Sequence, residues 1–306
     1  LTGFKVLITA GLLIIGGLLV INQQMNIGQF VAAEIIILSI IAAVEKLFSG
    51  LELFYDVLTS LEKMGSVVDL ELEEEVKNPN YIVDENHITL EGENVSFSYP
   101  KSDKELLKNI NLTILPKQHT LITGENGSGK TTLLRLLARI IEPTEGNVFI
   151  NDTNYKRYSS EEYRSKIGIV TADEIPFEGT ILENITCNNP AIKMDAVFKL
   201  VGKLKLTEVI KALPKGLDTN ITSEGKQINS SAIQKIVLAR CIINQPKLLF
   251  LENPLDKSDE QSCTEIIDFL NEQNQPWTLI VVSKNNYWKQ ICKQTILLEK
   301  GKIKLI

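Results

Sequence analysis

A glycine-rich segment decides the fold of this chain: Gly124-Glu125-Asn126-Gly127-Ser128-Gly129-Lys130-Thr131. It matches the phosphate-binding loop G-x-x-x-x-G-K-S/T at every constrained position. The glycines let consecutive backbone N–H groups turn inward and approach phosphate oxygens with no Cβ in the way. In this motif the lysine reaches the terminal phosphates, and the Ser or Thr hydroxyl binds magnesium. The segment therefore predicts a site for a nucleoside triphosphate with Mg²⁺.

The sequence on both sides of this loop has the order that the motif needs. Residues 120–123 predict a short buried strand, and residues 132–141 carry leucines at helical spacing. A helix that starts near Lys130 directs the positive end of its dipole at the bound anion. We therefore expect residues 124–131 and Thr132 to contact the nucleotide.

Two long apolar segments lie near the start of the chain. Residues 6–21 carry no charged side chain, and a second apolar run covers residues 30–48, interrupted by Glu34 and Glu45. About 20 apolar residues span a bilayer as a helix, so the two segments and the polar turn between them predict a transmembrane hairpin. A signal peptide fits poorly because no small-residue cleavage site follows the first segment. A buried core hairpin is the remaining alternative.

Glu34 lies near the predicted turn of this hairpin. It is either a carboxylate at the membrane interface or a cavity-facing residue that touches cargo. The sequence leaves both interpretations open.

Length and composition indicate the domain organisation, and net charge indicates which class of partner to exclude. A chain of 306 residues suggests two domains, and a net charge of −6 argues against a nucleic-acid partner. We assign residues 1–65 to a partial transmembrane domain with a cytosolic helical extension, residues 66–86 to an acidic linker, and residues 87–306 to a nucleotide-binding domain. The four cysteines show no C-x-x-C pairing, so we expect free thiols in a reducing cytosol.

The nucleotide-binding domain shows two patterns of strands. Before the phosphate loop, short strands at residues 88–90, 94–97 and 110–115 predict an antiparallel subsheet. Beyond the loop, apolar runs alternate with helical segments, which predicts an α/β sheet covered on both faces and an accompanying helical subdomain.

Two further segments identify a family. Residues 94–100 read Asn-Val-Ser-Phe-Ser-Tyr-Pro, and residues 177–185 read Phe-Glu-Gly-Thr-Ile-Leu-Glu-Asn-Ile. With the phosphate loop and the membrane hairpin, they resemble the ATP-binding cassette (ABC) transporter family, specifically exporters whose membrane helices and cassette share one chain. The resemblance makes Tyr99 the expected stacking platform for adenine. It also implies that the two membrane helices are the last two of six, with the first four missing from this chain.

Two of the family's motifs are altered. The glutamine that ligates magnesium in the family falls at Ala172, whose methyl group cannot be a ligand. The leucine-serine-glycine-glycine-glutamine signature falls at residues 228–232, which here read Ile-Asn-Ser-Ser-Ala and include Asn229, Ser230, Ser231 and Ala232. Hydroxymethyl groups replace the two glycines that let the backbone approach the partner's γ-phosphate. Asn229 is expected to cap the following helix and so to retain some attraction for an anion.

The water-activating and switch positions are altered as well. Glu252 follows the strand at residues 248–251 and keeps a carboxylate that, with Thr131, is expected to bind magnesium. Asn253 occupies the position of the family's general base, and a neutral amide cannot take a proton from water. Lys284 occupies the position of the switch histidine. Lys284 is either a solvated surface lysine or a charge that pairs with the γ-phosphate.

The resemblance implies an ATP-binding exporter subunit that dimerises and has weak or absent hydrolysis of its own. In the family each ATP lies between the phosphate loop of one subunit and the signature of the other, so we favour a heterodimer with an intact partner over a homodimer. Asp259 lies in what resembles the loop that crosses to that partner. An integral, multi-pass membrane location among lipids is implied, with the cassette in the cytoplasm and an unidentified transported substrate.

Two alternatives stay open at this point. The chain is a working ATPase that uses Glu252 or Glu174 as its base, or it is a regulatory or decayed cassette in which ATP only stabilises an assembly.

Overall fold

The computed structural model describes residues 2–70, 88–100, 104–222 and 228–304. The chain divides into two compact units, Leu1–Glu74 and Glu75–Ile306. This division falls inside the predicted acidic linker, most of which lies outside the described residues. The domain boundaries at residues 65 and 86 therefore stay predictions.

The first unit is a helical hairpin of α1 (Thr2–Ile21) and α2 (Ile27–Val68). A capping box starts α2, because the Asn26 side chain accepts from the Gln29 N–H at 2.8 Å and the Gln29 side chain accepts from the Asn26 N–H at 3.1 Å. The helical N-terminal region predicted from the sequence is confirmed.

The two helices of the hairpin differ in length and polarity. Among the described residues, α2 is the one helix long and apolar enough to cross a membrane, and the apolar part of α1 is shorter. Lys5 of α1 forms an ion pair with Glu45 of α2 at 3.1 Å. Glu34 lies half-buried in α2. Multi-pass insertion and either role for Glu34 remain predictions.

The second unit, called the α/β unit below, alternates strands and helices. In chain order its elements are β1 (Leu90–Phe97), β2 (Leu107–Ile114), β3 (Thr120–Thr123), α3 (Lys130–Leu137), β4 (Glu145–Ile150), β5 (Thr153–Asn154), α4 (Ser160–Lys166), β6 (Ile167–Val170), β7 (Gly179–Thr180), α5 (Ile181–Thr186), α6 (Met194–Lys203), α7 (Thr207–Lys211), β8 (Asn220–Ile221), α8 (Ser230–Ile242), β9 (Leu248–Glu252), α9 (Glu260–Leu270), β10 (Thr278–Val282), α10 (Trp288–Ile291), β11 (Gln294–Glu299) and β12 (Lys302–Lys304).

An antiparallel sheet has the strand order β2-β1-β4-β5. The prediction of separate strands at residues 88–90 and 94–97 is wrong, because residues 90–97 form the single strand β1. Register shifts against β2 fall between Gly92 and Val95 and between Val95 and Phe97. Such bulges let one strand stay paired through a stretch whose glycine and asparagine otherwise favour a turn.

The main sheet has the strand order β12-β11-β3-β10-β9-β6. Its strands run parallel to their neighbours except β12, which pairs antiparallel with β11. Every residue of β9 and β10 is buried, as expected of central parallel strands covered on both faces. The predicted α/β sheet is confirmed.

Alternate side chains of each central strand enter two different cores. Leu249 and Leu251 of β9 pack with residues of α5 to α9 on one face. Leu248 and Phe250 pack with α3 and with the antiparallel sheet on the other face. Because both faces are filled, a ligand can reach these strands at their ends but not across either face of the sheet.

Candidate nucleotide-binding site

Three neighbouring strands end at one cleft. β10 lies between β3 and β9 in the sheet, and the segments that follow these three strands line a cleft of about 380 Å³. In open α/β sheets ligands bind at the carboxyl ends of strands. At the ends of these strands and beyond them, the residues that line the cleft are Thr123, Gly124, Asn126, Gly127, Lys130, Thr131, Glu252, Asn253, Val282, Ser283, Lys284, Asn285, Asn286 and Lys289.

The phosphate loop needs glycine for two separate reasons. Gly124, Gly127 and Gly129 have φ of 147°, 78° and 101°, in the region that favours glycine. At Gly124 an added Cβ would also overlap the backbone carbonyl of Leu298. The loop passes directly into α3, whose first residue is Lys130 and whose N-cap, Gly129, has no side-chain cap. The first N–H groups of α3 are therefore left for an anion.

Lys130 is held at the loop in the conformation that the structure shows. Its ammonium donates to the backbone carbonyls of Gly124 at 2.9 Å and Glu125 at 2.6 Å. Burial lowers the pKa of Lys130, the charge of Lys284 lowers it further, and Glu252 opposes both effects. Lys284 and Glu252 are therefore close enough to act on this ammonium.

Thr131 and Glu252 come together across the sheet. The Thr131 hydroxyl hydrogen-bonds to a carboxylate oxygen of Glu252, and the Ala172 N–H contacts the other at 3.4 Å. Glu252 is only 7% exposed, so this pairing offsets part of the cost of burying its carboxylate. The two oxygen donors suit Mg²⁺, which takes one or two protein oxygens and completes its shell with phosphate and water. Ala172 adds no side-chain oxygen.

Asn253 is held by its backbone at the edge of the cleft. Its φ is 45°, a conformation that asparagine tolerates better than most residues. Its N–H donates to the Val282 carbonyl at 2.8 Å, which ties the end of β9 to the end of β10. The side chain that lines the cleft here is thus a neutral amide, as the sequence indicates.

Tyr99 lies beside α3, outside the set of residues that line the cleft. Its hydroxyl is 3.1 Å from the Thr132 hydroxyl, and its ring meets Phe97 edge-on with centroids 4.9 Å apart. Tyr99 is 43% exposed, so part of the residue is accessible to a ligand. Stacking of adenine on Tyr99 stays a prediction.

The residues predicted to form the signature are not among those that line the cleft. Asn229 is the N-cap of α8, and its side chain accepts from the Ala232 N–H at 2.7 Å, as its residue type predicts. Ser231 contacts the Ser258 hydroxyl at 3.0 Å. Asn229, Ser231 and Ala232 line a second cavity, of about 400 Å³, together with Asp259. The predicted signature and the predicted crossing loop are therefore neighbours.

Glu174, one of the two alternative bases, is held away from the cleft. It pairs with Arg240 at 3.4 Å, and the Thr171 N–H contacts it at 3.4 Å. Burial raises the pKa of Glu174. The hydrogen bond from the Thr171 backbone and the charge of Arg240 act in the opposite direction and lower it. Glu174 is not among the cleft-lining residues, whereas Glu252 is.

A buried asparagine that the sequence reading missed fixes the segment after β6. The Asn184 side chain, fully buried, hydrogen-bonds to the backbone of Phe177 and Thr180 and accepts from Arg240 at 2.7 Å. A capping box of Thr180 and Glu183 starts α5 just before it. The Thr-x-x-Glu spacing of that box is a sequence signal that could have marked this helix start.

Comparisons with known proteins agree with this geometry. A family model described as "ABC transporter" matches residues 107–256. The alpha-hemolysin translocation ATP-binding protein HlyB of Escherichia coli O157:H7 is 28% identical over 286 residues, which are 94% of this chain and 40% of HlyB. P-glycoprotein 14 of Caenorhabditis elegans is 31% identical over 212 residues, which are 69% of this chain and 16% of that protein.

A solved structure of a bacterial Atm1-family ABC exporter with ATP bound has the same fold. The match has a TM-score of 0.73 at 23% identity and covers 81% of this chain and 43% of that one. The chain spans less than half the length of these relatives. The chain therefore contains an ABC transporter cassette, matched over residues 107–256, and it is homologous to exporter proteins of the ABC family.

Proposed function

We propose that this chain is an ATP-binding subunit of an ABC-type exporter, which binds Mg-ATP and dimerises, and whose own ATP hydrolysis is weak or absent. The observation that carries the proposal is that one cleft combines residues suited to holding ATP with residues unsuited to hydrolysing it. Its phosphate-holding residues, Lys130 and Thr131 among them, match the motif, while a neutral Asn253 and a cationic Lys284 stand at the ends of the two adjacent strands.

Binding rests on the glycine loop and on the start of α3. The loop offers backbone N–H groups, the helix dipole adds a partial positive charge, and Lys130 supplies a full one. Thr131 and Glu252 would hold Mg²⁺, which on binding would neutralise charge on the phosphates. Tyr99 would support the base beside Thr132.

Hydrolysis lacks a clear proton acceptor in the cleft. An amide at Asn253 cannot take a proton from an attacking water. Glu252, the carboxylate among the cleft-lining residues, already accepts from the Thr131 hydroxyl. A missing general base alone lowers a rate by about 10²- to 10⁴-fold.

Assembly with a second cassette subunit is part of the proposal. The second cavity at Asn229, Ser231 and Asp259 gathers the signature and the crossing loop on one surface. Two copies of this chain would combine altered motifs at both nucleotide sites, whereas a partner with an intact base and switch residue would supply what this chain lacks. We therefore favour a heterodimer, in which an unidentified substrate crosses the lipid bilayer.

Two other functions remain to be tested against this one. A working ATPase would use Glu252 as its base, since Glu174 is bound by Arg240 outside the cleft. A regulatory cassette would use ATP only to stabilise its assembly, and a Lys130→Ala variant would then lose the stabilisation by ATP with no loss of transport.

The test is the hydrolysis rate of an Asn253→Glu variant of the full chain. We expect a gain of about 100-fold or more over the parent chain. Asn253→Gln is the matched control, because it has the same length and the same strained backbone but no carboxylate. Adding Lys130→Ala to Asn253→Glu removes the site's own activity and measures any contaminating ATPase. An unchanged rate in Asn253→Glu, with the parent already fast, would favour the working ATPase.

A further inference from the structure

The ionic side chains that line the nucleotide cleft are unbalanced. Lys130, Lys284 and Lys289 line it, and Glu252 is the carboxylate among the lining residues. These side chains carry a net charge of +2 before any metal ion binds. A triphosphate therefore meets an excess of fixed positive charge in this cleft.

Lys284 occupies a central place in that arrangement. It follows β10, which lies between the strand that leads to Lys130 and the strand that ends at Glu252. Its side chain is exposed and lines the cleft. Among the described residues it forms no ion pair within 4 Å, so its ammonium keeps its capacity to bind an anion.

We propose that the Lys284 ammonium supplies charge to the ATP phosphates that a divalent cation otherwise supplies, so that this cleft binds ATP tightly even without Mg²⁺. The inference deepens the proposed ATP-binding function and rests on it. In this role the Lys284 ammonium binds and positions the ATP phosphates, whereas a solvated surface lysine would contact only water.

The electrostatics of the neighbouring groups agree with this placement. Lys284 lowers the pKa of Lys130, which burial has already lowered, and it opposes the burial that raises the pKa of Asp256. Lys284 lines one cleft with Lys130 of the phosphate loop and with Asn253, which follows β9. Asp256 is not among the cleft-lining residues.

The predicted metal ligands also support the proposed role of Lys284. Ala172 contributes only a backbone N–H to Glu252, and Thr131 and Glu252 are the two side chains suited to Mg²⁺. A site with a single carboxylate and an extra ammonium gains less from the metal than one with more carboxylates.

The test is ATP affinity of the full chain in detergent, measured with Mg²⁺ and again with EDTA. For the parent chain we expect the two dissociation constants to agree within about threefold. For Lys284→Ala we expect a loss of about tenfold or more in EDTA and a much smaller loss with Mg²⁺, because one charge-assisted contact is removed. Lys302→Ala, which removes an exposed lysine of β12 outside the cleft, is the matched control and should change neither constant.

The outcomes separate the inference from the proposed function. If the parent chain binds ATP with Mg²⁺ but loses more than tenfold in EDTA, the inference fails and the ATP-binding function stands. The inference also fails if Lys284→Ala weakens binding equally under both conditions or behaves as Lys302→Ala does. If the parent binds no ATP under either condition, both fail. Melting curves without nucleotide check that the exposed substitutions leave the fold intact.

Discussion

His119 makes the stability of the α/β unit depend on pH in the mildly acidic range. The residue directly precedes β3, and its Nδ1 accepts from the Leu279 N–H of β10 at 3.1 Å. This bond extends the pairing of the two strands, which begins at Thr120 and Ile280. Burial, helped by the charges of Lys117 and Lys293, lowers the pKa of His119 from 6.5 to about 4. Protonation of Nδ1 would remove the acceptor for a buried N–H.

The sign and size of the effect follow from that pKa. The folded state holds its proton more weakly than the unfolded state, so stability is complete above pH 6.5 and falls as the pH drops toward 4. For a fully buried ring, the shift corresponds to about 2 kcal/mol lost between pH 7 and pH 5. His119 is half-buried, and solvent screening reduces the expected loss to about 1 kcal/mol.

Tryptophan emission is a suitable assay because both tryptophans, Trp277 and Trp288, are buried in the α/β unit. Urea unfolding of the full chain in detergent at pH 7 and pH 5 then reports on this unit. The comparison is with His119→Asn, whose side-chain oxygen can accept the same bond and does not titrate. The parent should lose about 1 kcal/mol more than the variant on acidification. Equal losses in the two proteins would refute the role assigned to His119.

Two further substitutions test the hydrogen-bond network of Asn184 and the backbone geometry of the phosphate loop. Asn184→Ala removes four hydrogen bonds from a fully buried side chain, and tryptophan emission in urea should show a loss of about 3 kcal/mol. A loss below about 1 kcal/mol would contradict this network. Gly124→Ala should abolish ATP binding in a nucleotide titration, because its Cβ overlaps the Leu298 carbonyl. Gly202→Ala, in α6 with open space around its Cβ position, should bind ATP normally; similar losses in both would argue against the loop geometry.

The sequence predicted the parts of the site that depend on local patterns. The strand, loop and helix around Lys130 follow from glycine placement and apolar spacing, and β9 and β10 from short apolar runs. The cap at Asn229 follows from its residue type at the start of α8. These features depend on neighbours in the chain, which a single sequence displays.

Features that depend on distant contacts were missed. Leucine spacing predicted a helix through residue 141, but α3 ends at Leu137. Arg139 turns out of the helix with φ of 56° and donates to the carbonyls of Tyr155 and Tyr158 at 3.0 Å. Because those carbonyls lie in a later segment of the chain, no local pattern shows them.

Pairing across the sheet was likewise only partly foreseen. The sequence named Thr131 and Glu252 as metal ligands, and the structure brings their side chains into contact. It gave no sign that the Asn253 N–H would bond to Val282, because that bond depends on β9 and β10 being neighbours.

The most direct test of the account measures ATP binding and ATP turnover on the same preparation of the full chain with Mg²⁺. We expect saturable binding that Lys130→Ala weakens, together with turnover below about 0.1 s⁻¹, well under typical enzyme rates. Turnover of about 1 s⁻¹ or more that Lys130→Ala abolishes would contradict it.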